Sequence, residues 1–457
     1  SDKLDGDKRK NPSNSGSDSI RVICRFRPPK ESEIENHGQS TKLENFVIDE
    51  TRGTVTSDVD FERKNFTYDK VFGINCTQAE VFESVASTVD SVMLGFNGTI
   101  LAYGQTSSGK THTMEGISLW DTTTQGVIPR TIDKLFQAIS EADIHTAFTV
   151  SVSYYEVYCE KIRDLLNPTS DNLKMREVKQ EGFIIQDVTE VFCVDRDSII
   201  RIIETGKAHR ASAPTLMNAE SSRSHSILSI LVTQKLESTG RHRKGKIYLV
   251  DLAGSEKVSK TGAKGTRLEE AKNINRSLTT LGMVINALCD GSPHIPYRDS
   301  KLSRILQDSL GGNSKTTLII CCASEDRHYS ETLSTLRFGE RAKKIKNNAK
   351  VNEELGIPEL KKLLAAAQRE IFVLKNQMTN TNTNSPVSLP IINSNENDLD
   401  GDDKSETSVE EEDLPQNHQL LIRIAELEDL LEKQRLSTLA EQNKSKILEG
   451  ELQALKL

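Results

Sequence analysis

The chain has no run of 18 apolar residues, so no segment is long enough to cross a bilayer as a helix. Its opening, SDKLDGDKRKNPSNSGSDS, has no apolar h-region and reads as a disordered arm over 1–19, not as a secretory signal. It also lacks an initiator Met, which fits a processed or recombinant start. The seven cysteines, at 24, 76, 159, 193, 289, 321 and 322, are odd in number and include no C-x-x-C pair. Zinc-site and disulfide-framework readings both fail on that count; reduced thiols in a cytoplasmic protein are the better reading. No internal repeat is visible.

What is present is unevenly spread. Residues 395–413 hold ten acidic residues against one lysine, a charge of −9, so the rest of the chain carries +1 within the overall −8. The acidity belongs to one stretch and leaves the remainder free to meet an acidic partner. Residues 20–350 alternate β-rich apolar runs with helical stretches such as 79–95 and 128–143. The runs are IRVICRFRP, TILAYG, TAFTVSVSYYEVY, SHSILSILVTQKL, GKIYLVDLAG and TTLIICCAS. Near-continuous apolar strands between helices predict an α/β domain around a covered sheet.

The texture changes after residue 350. Leu360, Leu364, Ala367, Ile371, Leu374 and Met378 alternate by four and three, an a/d seam that predicts a self-pairing coil over 356–378. A single amphipathic helix packed on the domain is the plainer alternative. Residues 379–417 are Asn/Ser/Thr-rich, then acidic, and read as a flexible linker. A second seam resumes over 418–457, weaker in its middle, and is still running at Leu457, so a longer stalk is expected.

The chemistry starts at LAYGQTSSGKTHTMEG. Gly104, Gly109, Lys110 and Thr111 fit the phosphate-loop pattern G-x-x-x-x-G-K-[ST], between a strand and a helix-competent stretch. Backbone N–H groups there can face phosphate oxygens, Lys110 can reach the β/γ-phosphates and the Thr111 hydroxyl can ligate Mg²⁺. In YLVDLAGSE, Asp251 ends an apolar strand, the place for an indirect Mg²⁺ holder, and Gly254 would let the backbone approach a γ-phosphate. In NAESSRSHS, the hydroxyls of Ser221 and Ser222 and the Arg223 cation suit metal and phosphate contacts, though alone they are any Ser-rich turn. No N-K-x-D motif is present to read guanine, which speaks against a GTPase switch.

Taken with HIPYRDSKLSRILQDSLGGNSKT, these segments resemble, in order, the kinesin motor domain, and conventional kinesin most closely. The resemblance covers about Ile20 to Asn352. It implies a P-loop NTPase of kinesin motor fold over 20–343, with a central, mostly parallel, eight-stranded sheet flanked by helices, then coiled-coil helices. It implies Mg²⁺-dependent ATP hydrolysis to ADP, stimulated by microtubules. Arg25, Arg27 and Pro28 would lie around adenine, with His112 and Phe96 as rings near the base. Gly104, Gln105, Thr106, Ser107, Ser108, Gly109, Lys110 and Thr111 would wrap the phosphates. Asn218, Ser221 and Ser222 belong to switch I, with Ser222 near Mg²⁺; Asp251 and Gly254 belong to switch II. Arg223 and Glu256 match the family's switch-closing salt bridge, a bidentate pair able to clamp both loops.

The resemblance also supplies a partner, the acidic outer face of α/β-tubulin. Matching cations are Lys257, Lys260, Lys264 and Arg267 after switch II, Arg298, Lys301 and Arg304 after Pro296, and Lys161 and Arg163 in YCEKIRDLL. Such contacts are salt-sensitive and speed encounter. Residues 344–355 match the neck linker, with Ile345 entering a pocket, Asn347 holding the start and Asn352 latching the end. Asn348, Ala349 and Lys350 stand where the family is more apolar, which leaves open weaker docking or more reliance on the strand near Ile20–Ile23. The order motor, linker, coil implies a plus-end-directed homodimer on cytoplasmic microtubules. No nucleic-acid partner or membrane insertion is implied, and cargo and light-chain association stay open. A depolymerase reading lacks a long N-terminal neck and a Lys-Val-Asp loop; a nucleotide-insensitive scaffold conflicts with the P-loop and switch residues.

Overall fold

Six apolar runs become the central strands because their alternate side chains are buried on both faces of one sheet. The computed structural model describes residues 18–29, 45–59, 62–178, 182–211, 222–238, 240–256 and 266–354, plus Lys362, Ala365, Ala366, Arg369, Phe372 and Val373. The chain divides into a unit of residues 1–237 and 242–354 and a second of 238–241 and 355–457. The described residues between Lys362 and Val373 are helical; the rest of the expected coil, the acidic linker and the second coil lie outside the described residues.

The first unit begins with β1 (Asp18–Ser19), β2 (Arg21–Arg27), β3 (Phe46–Asp49), β4 (Thr54–Val59), β5 (Glu62–Thr67) and β6 (Lys70–Phe72). Then come α1 (Gln78–Met93), β7 (Gly98–Tyr103), α2 (Lys110–Met114), α3 (Val127–Ser140), β8 (Thr146–Tyr158) and β9 (Lys161–Asp164). β10 (Met175–Val178), β11 (Gly182–Ile185), β12 (Val191–Cys193), α4 (Arg196–Ala211), β13 (His225–Leu236) and β14 (His242–Asp251) follow. The unit ends with α5 (Thr266–Cys289), α6 (Lys301–Ile305), β15 (Lys315–Ala323), α7 (Tyr329–Ala342), β16 (Lys346–Asn347) and β17 (Asn352–Glu354). Asp18 and Ser19, expected in the disordered arm, form β1 because they pair antiparallel with β16.

The main sheet runs β12-β8-β13-β14-β7-β15-β2-β6, with β9 beside β8 and β17 beside β14. It is mixed. The pairings from β14 through β7, β15 and β2 to β6 are parallel; those from β12 through β8 and β13 to β14 are antiparallel. The expected eight-strand path is present, and its parallel half contains the P-loop strand.

Helices cover both faces, which explains why all six residues of β7 are buried. On β15, Leu318, Ile320 and Cys322 pack with Leu278, Leu281 and Val284 of α5 and Leu336 of α7. Ile319 and Cys321, one residue out of phase, pack with Val85 and Val89 of α1 and Ile132 of α3. α1 starts where Thr77 and Glu80 form a capping box: Thr77 N–H donates to Glu80 Oε2 at 2.7 Å and Glu80 N–H to Thr77 Oγ1 at 3.2 Å. The parallel register puts the C-terminal ends of β2, β7 and β14 at one edge, where open α/β sheets place their ligand crevice.

Candidate active site

At that edge β7 leaves the sheet at Gly104 and the chain re-enters a helix at Lys110. Ser107 sits at a left-handed φ of 63°, and its carbonyl accepts Arg27 Nε at 2.6 Å. The Lys110 side chain is buried and its Nζ donates to Gln105 O at 2.9 Å. Burial lowers its pKa. A desolvated ammonium with one neutral partner is a strong acceptor of an anion. The Ser108 hydroxyl and Gln105 Oε1 are likewise buried with no hydrogen-bond partner among the described residues.

The edge of β14 supplies the carboxylates. Thr111 Oγ1 donates to Asp251 Oδ2 at 2.6 Å, while the buried Asp251 Oδ1 has no such partner. Burial raises the Asp251 pKa, and nearby Lys110 and Arg210 pull it down. A buried carboxylate oxygen and a threonine hydroxyl beside an anion-seeking lysine fit a site that would take a divalent cation together with a phosphate. Glu256 receives Thr106 N–H at 2.8 Å and Thr106 Oγ1 at 2.6 Å. Gly254 makes that approach possible: a Cβ there would stand 2.3 Å from Thr106 Oγ1 and 2.4 Å from Glu256 Oε2. Its N–H donates to Ser222 O at 3.0 Å, so both switches meet in the backbone.

Arg223 and Glu256 do not form an ion pair with each other among the described residues. Arg223 Nη1 instead meets Glu270 Oε1 of α5 at 2.9 Å, and Tyr158 O–H donates to the same oxygen at 2.9 Å. Glu270 has no local sequence signal, because its role depends on α5 bringing it to Arg223 and Tyr158. Asn218, Ser221, Lys257, Lys260 and Lys264 lie outside the described residues.

His225, inside the SSRSHS segment, joins three elements. Its Nδ1 accepts Ala253 N–H at 3.0 Å, so its Nε2 carries the proton toward Ser277 Oγ of α5 at 2.7 Å. Burial, then Arg210 and Lys110, push its pKa down to about 3, and the ring is neutral.

Arg25 is buried, donating to Gln78 Oε1 at 2.8 Å and Thr113 Oγ1 at 2.9 Å, and Gln78 Nε2 donates to His112 O at 2.6 Å. Arg25, Arg27, Pro28 and His112 thus flank the P-loop. Phe96 does not. It precedes β7, whereas the P-loop follows it, a separation of roughly 20 Å at the rise of a strand. Its ring lies under Lys315 Nζ at 4.4 Å and its backbone bridges to Val351. Phe96 therefore lies at the Val351 end of β7, away from the P-loop, and is not placed as a base-stacking ring.

The basic residues split between paired and exposed. Glu160 accepts Ser300 Oγ and Lys301 N–H, both at 2.8 Å, fastening α6 to the β8–β9 hairpin that carries Lys161 and Arg163. Lys301 Nζ donates to Asn172 Oδ1 at 2.8 Å, Arg298 meets Glu177 at 3.4 Å, and Arg304 lies 4.7 Å above the Phe183 ring. Arg163 pairs with Glu156 and Asp171.

At the other end of the sheet Ile345 is buried in the core, and Ile20 N–H donates to its carbonyl at 3.0 Å. Asn347 Nδ2 donates to Ser309 O and Ser314 O, and its Oδ1 accepts Gly311 N–H at 2.8 Å. Asn352 N–H donates to Gly95 O at 2.8 Å and its Nδ2 to Asn97 Oδ1 at 2.9 Å.

Residues 25–345 match the family model of the kinesin motor domain. A kinesin heavy chain of Syncephalastrum racemosum is 53% identical over 356 residues, 77% of this chain and 37% of that relative. A kinesin heavy chain of Neurospora crassa is 50% identical over 368 residues, 80% of this chain and 39% of that relative. A solved structure described as a fast kinesin aligns with a TM-score of 0.69 at 51% identity, over 74% of this chain and 94% of that one. The chain spans 37% and 39% of the length of the two heavy chains.

Proposed function

The chain belongs to the kinesin motor-domain family, and on that premise we propose that it is an ATP-driven microtubule motor, dimeric and plus-end-directed. The observation that carries this reading is the ring of contacts joining P-loop to switch II to switch I: Thr106 to Glu256, Thr111 to Asp251, and Gly254 to Ser222.

ATP is the substrate. Water attacks the γ-phosphorus, the bond to the β–γ bridging oxygen breaks, and ADP and phosphate leave with the proton of water. The P-loop amides and Lys110 hold the phosphates, and Arg25, Arg27, Pro28 and His112 flank the base. Thr111 and Ser222 would hold Mg²⁺ directly and Asp251 indirectly, and the ion would supply charge neutralisation when bound. No side chain has to be a strong base, since phosphoryl transfer is mainly positioning and charge stabilisation. Positioning requires an exchange of partners: Arg223 leaves Glu270, Glu256 leaves Thr106, and the two meet. Arg223 trades one charge-assisted contact for another, and Glu256 trades its two Thr106 contacts for the arginine fork, an exchange that a γ-phosphate can tip.

The surface built from the β8–β9 hairpin and α6 meets the acidic track with Lys161, Arg163, Arg298, Lys301 and Arg304, and Lys257, Lys260 and Lys264, which follow Glu256 in the sequence, add to its positive charge. Residues 344–355 act as the neck linker, and the coil from 356 pairs two copies.

Turnover measured with and without microtubules tests the reading. A large stimulation is expected, followed by gliding of microtubules over surface-held protein. Turnover indifferent to microtubules would remove the motor, and shortening of microtubule ends without gliding would point to a depolymerase.

A further inference from the structure

The linker's last described strand lies where β7 is too short to cover β14. β7 pairs with β14 only from Gly98 opposite Ile247 onward, so the backbone edge of His242–Lys244 is left for β17 to fill. The register sets Asn352 opposite Lys244, Glu353 opposite Arg243 and Glu354 opposite His242. Arg243 Nη2 reaches Glu353 Oε1 at 3.2 Å, directly across the ladder. Lys244 Nζ reaches Glu354 Oε1 at 2.8 Å, diagonally. Because 243 and 244 are consecutive, the two pairs stand on opposite faces of the strand and hold it from both sides.

The Arg243 side chain is also placed by a residue outside the linker. Gly95 has a left-handed φ of 89°, and a Cβ on it would stand 2.3 Å from Arg243 Cγ. The arginine stem lies flat in the space a side chain would take. Val351 Cγ1 shares that space, 3.1 Å from the same Cβ position, while the contacts around Asn352 are polar: Lys350 N–H donates to Asn313 Oδ1 at 2.6 Å, Asn313 Nδ2 to Asn352 Oδ1 at 3.0 Å, and Asn352 Nδ2 to Lys244 O at 3.1 Å. All four charged side chains remain between 29% and 55% exposed, where salt reaches them.

We propose that Arg243 and Lys244 are positioning residues for the linker, and that their ion pairs with Glu353 and Glu354 make its docking an ionic-strength-dependent equilibrium. Apolar packing is weak over Asn348–Lys350, and opposite charges across the ladder take its place. The inference rests on the motor reading only for the meaning of docking; the docking itself is measured without nucleotide turnover.

Amide hydrogen exchange of residues 352–354, read on the 457-residue chain, is the test. Between about 25 mM and about 400 mM salt, protection falls about three- to tenfold, while the amides of Gly98–Tyr103 stay protected. Arg243→Glu with Lys244→Glu brings the loss to low salt and flattens the salt dependence. Arg243→Glu with Glu353→Arg restores most of the protection. Wild-type protection indifferent to salt overturns the proposal without any variant, and so does a charge swap that restores nothing in a chain whose Gly98–Tyr103 amides remain protected. If salt-dependent protection is found but microtubules do not stimulate turnover, the motor reading fails and this one stands.

Discussion

The two ends of β7 are built from opposite materials. At the P-loop end the charges are buried: Lys110 is 6% exposed and Asp251 2%, and each leaves bonding capacity for a ligand. At the linker end the charges are half in water and already matched, while the buried anchor, Asn347, is neutral and fully engaged. The first end stores electrostatic cost that a bound anion and cation relieve. The second stores almost none, so its strand can come and go. An enzyme site needs the former and a reversible dock needs the latter.

The contrast can be broken at either end. Lys110→Ala is the largest expected effect: turnover falls about a hundredfold or more, while exchange protection at residues 352–354 without nucleotide is unchanged. Glu256→Ala removes both Thr106 contacts and the switch-closing partner; microtubule-stimulated turnover drops about ten- to a hundredfold, roughly 1.4–2.8 kcal/mol of barrier. Stimulated rates near wild type would refute the role of Glu256. Asn352→Ala strips the linker end of its side-chain bonds, and the exchange protection of residues 353–354 falls by the equivalent of about 1–3 kcal/mol.

A smaller effect comes from pH. His225 is neutral in the fold, with its pKa pushed to about 3 from an ordinary 6.5. The unfolded chain takes up the proton first, so this histidine leaves stability untouched above about pH 6.5 and lowers it as pH falls, by about 1 kcal/mol per unit. Urea midpoints at successive pH values read the slope, and His225→Asn flattens it. Smallest is Phe96→Leu: nucleotide affinity stays within about twofold, and only the linker end loosens, by about 0.5–1 kcal/mol through the lost Lys315 contact. A large loss of nucleotide affinity would return Phe96 to the base.

The P-loop end was legible because its chemistry is contiguous. Gly104 through Thr111 is one loop, and a loop keeps its order in space. The positions of Asp251 and Glu256 beside the loop were legible for the same reason, at the end of an apolar strand, but the hold of Glu256 on Thr106 in place of Arg223 was not. Phe96, set near the base by resemblance alone, was misplaced because the strand Gly98–Tyr103 stands between it and the P-loop and carries it to the far edge. Glu270, Asn97, Asn313 and the Arg243–Glu353 pair were invisible, since each acts on a partner from another element. The fold's core followed from six apolar runs, whereas the antiparallel half of the sheet rests on pairings no single run records.

β14 joins these two ends in one covalent piece, with Arg243 and Lys244 near its start and Asp251 at its finish. Ten consecutive residues pair with β13, and five with β7. A strand gripped on both edges cannot slip by one position, because every side chain would turn to the wrong face. Its length is therefore a fixed measure between Asp251 and the Arg243–Glu353 pair. A single-residue insertion anywhere within it would set one end inside out, however mild the residue. Signals between the ends cannot travel as sliding of this strand and need another carrier, for which α5, whose Glu270 accepts Arg223, is one candidate.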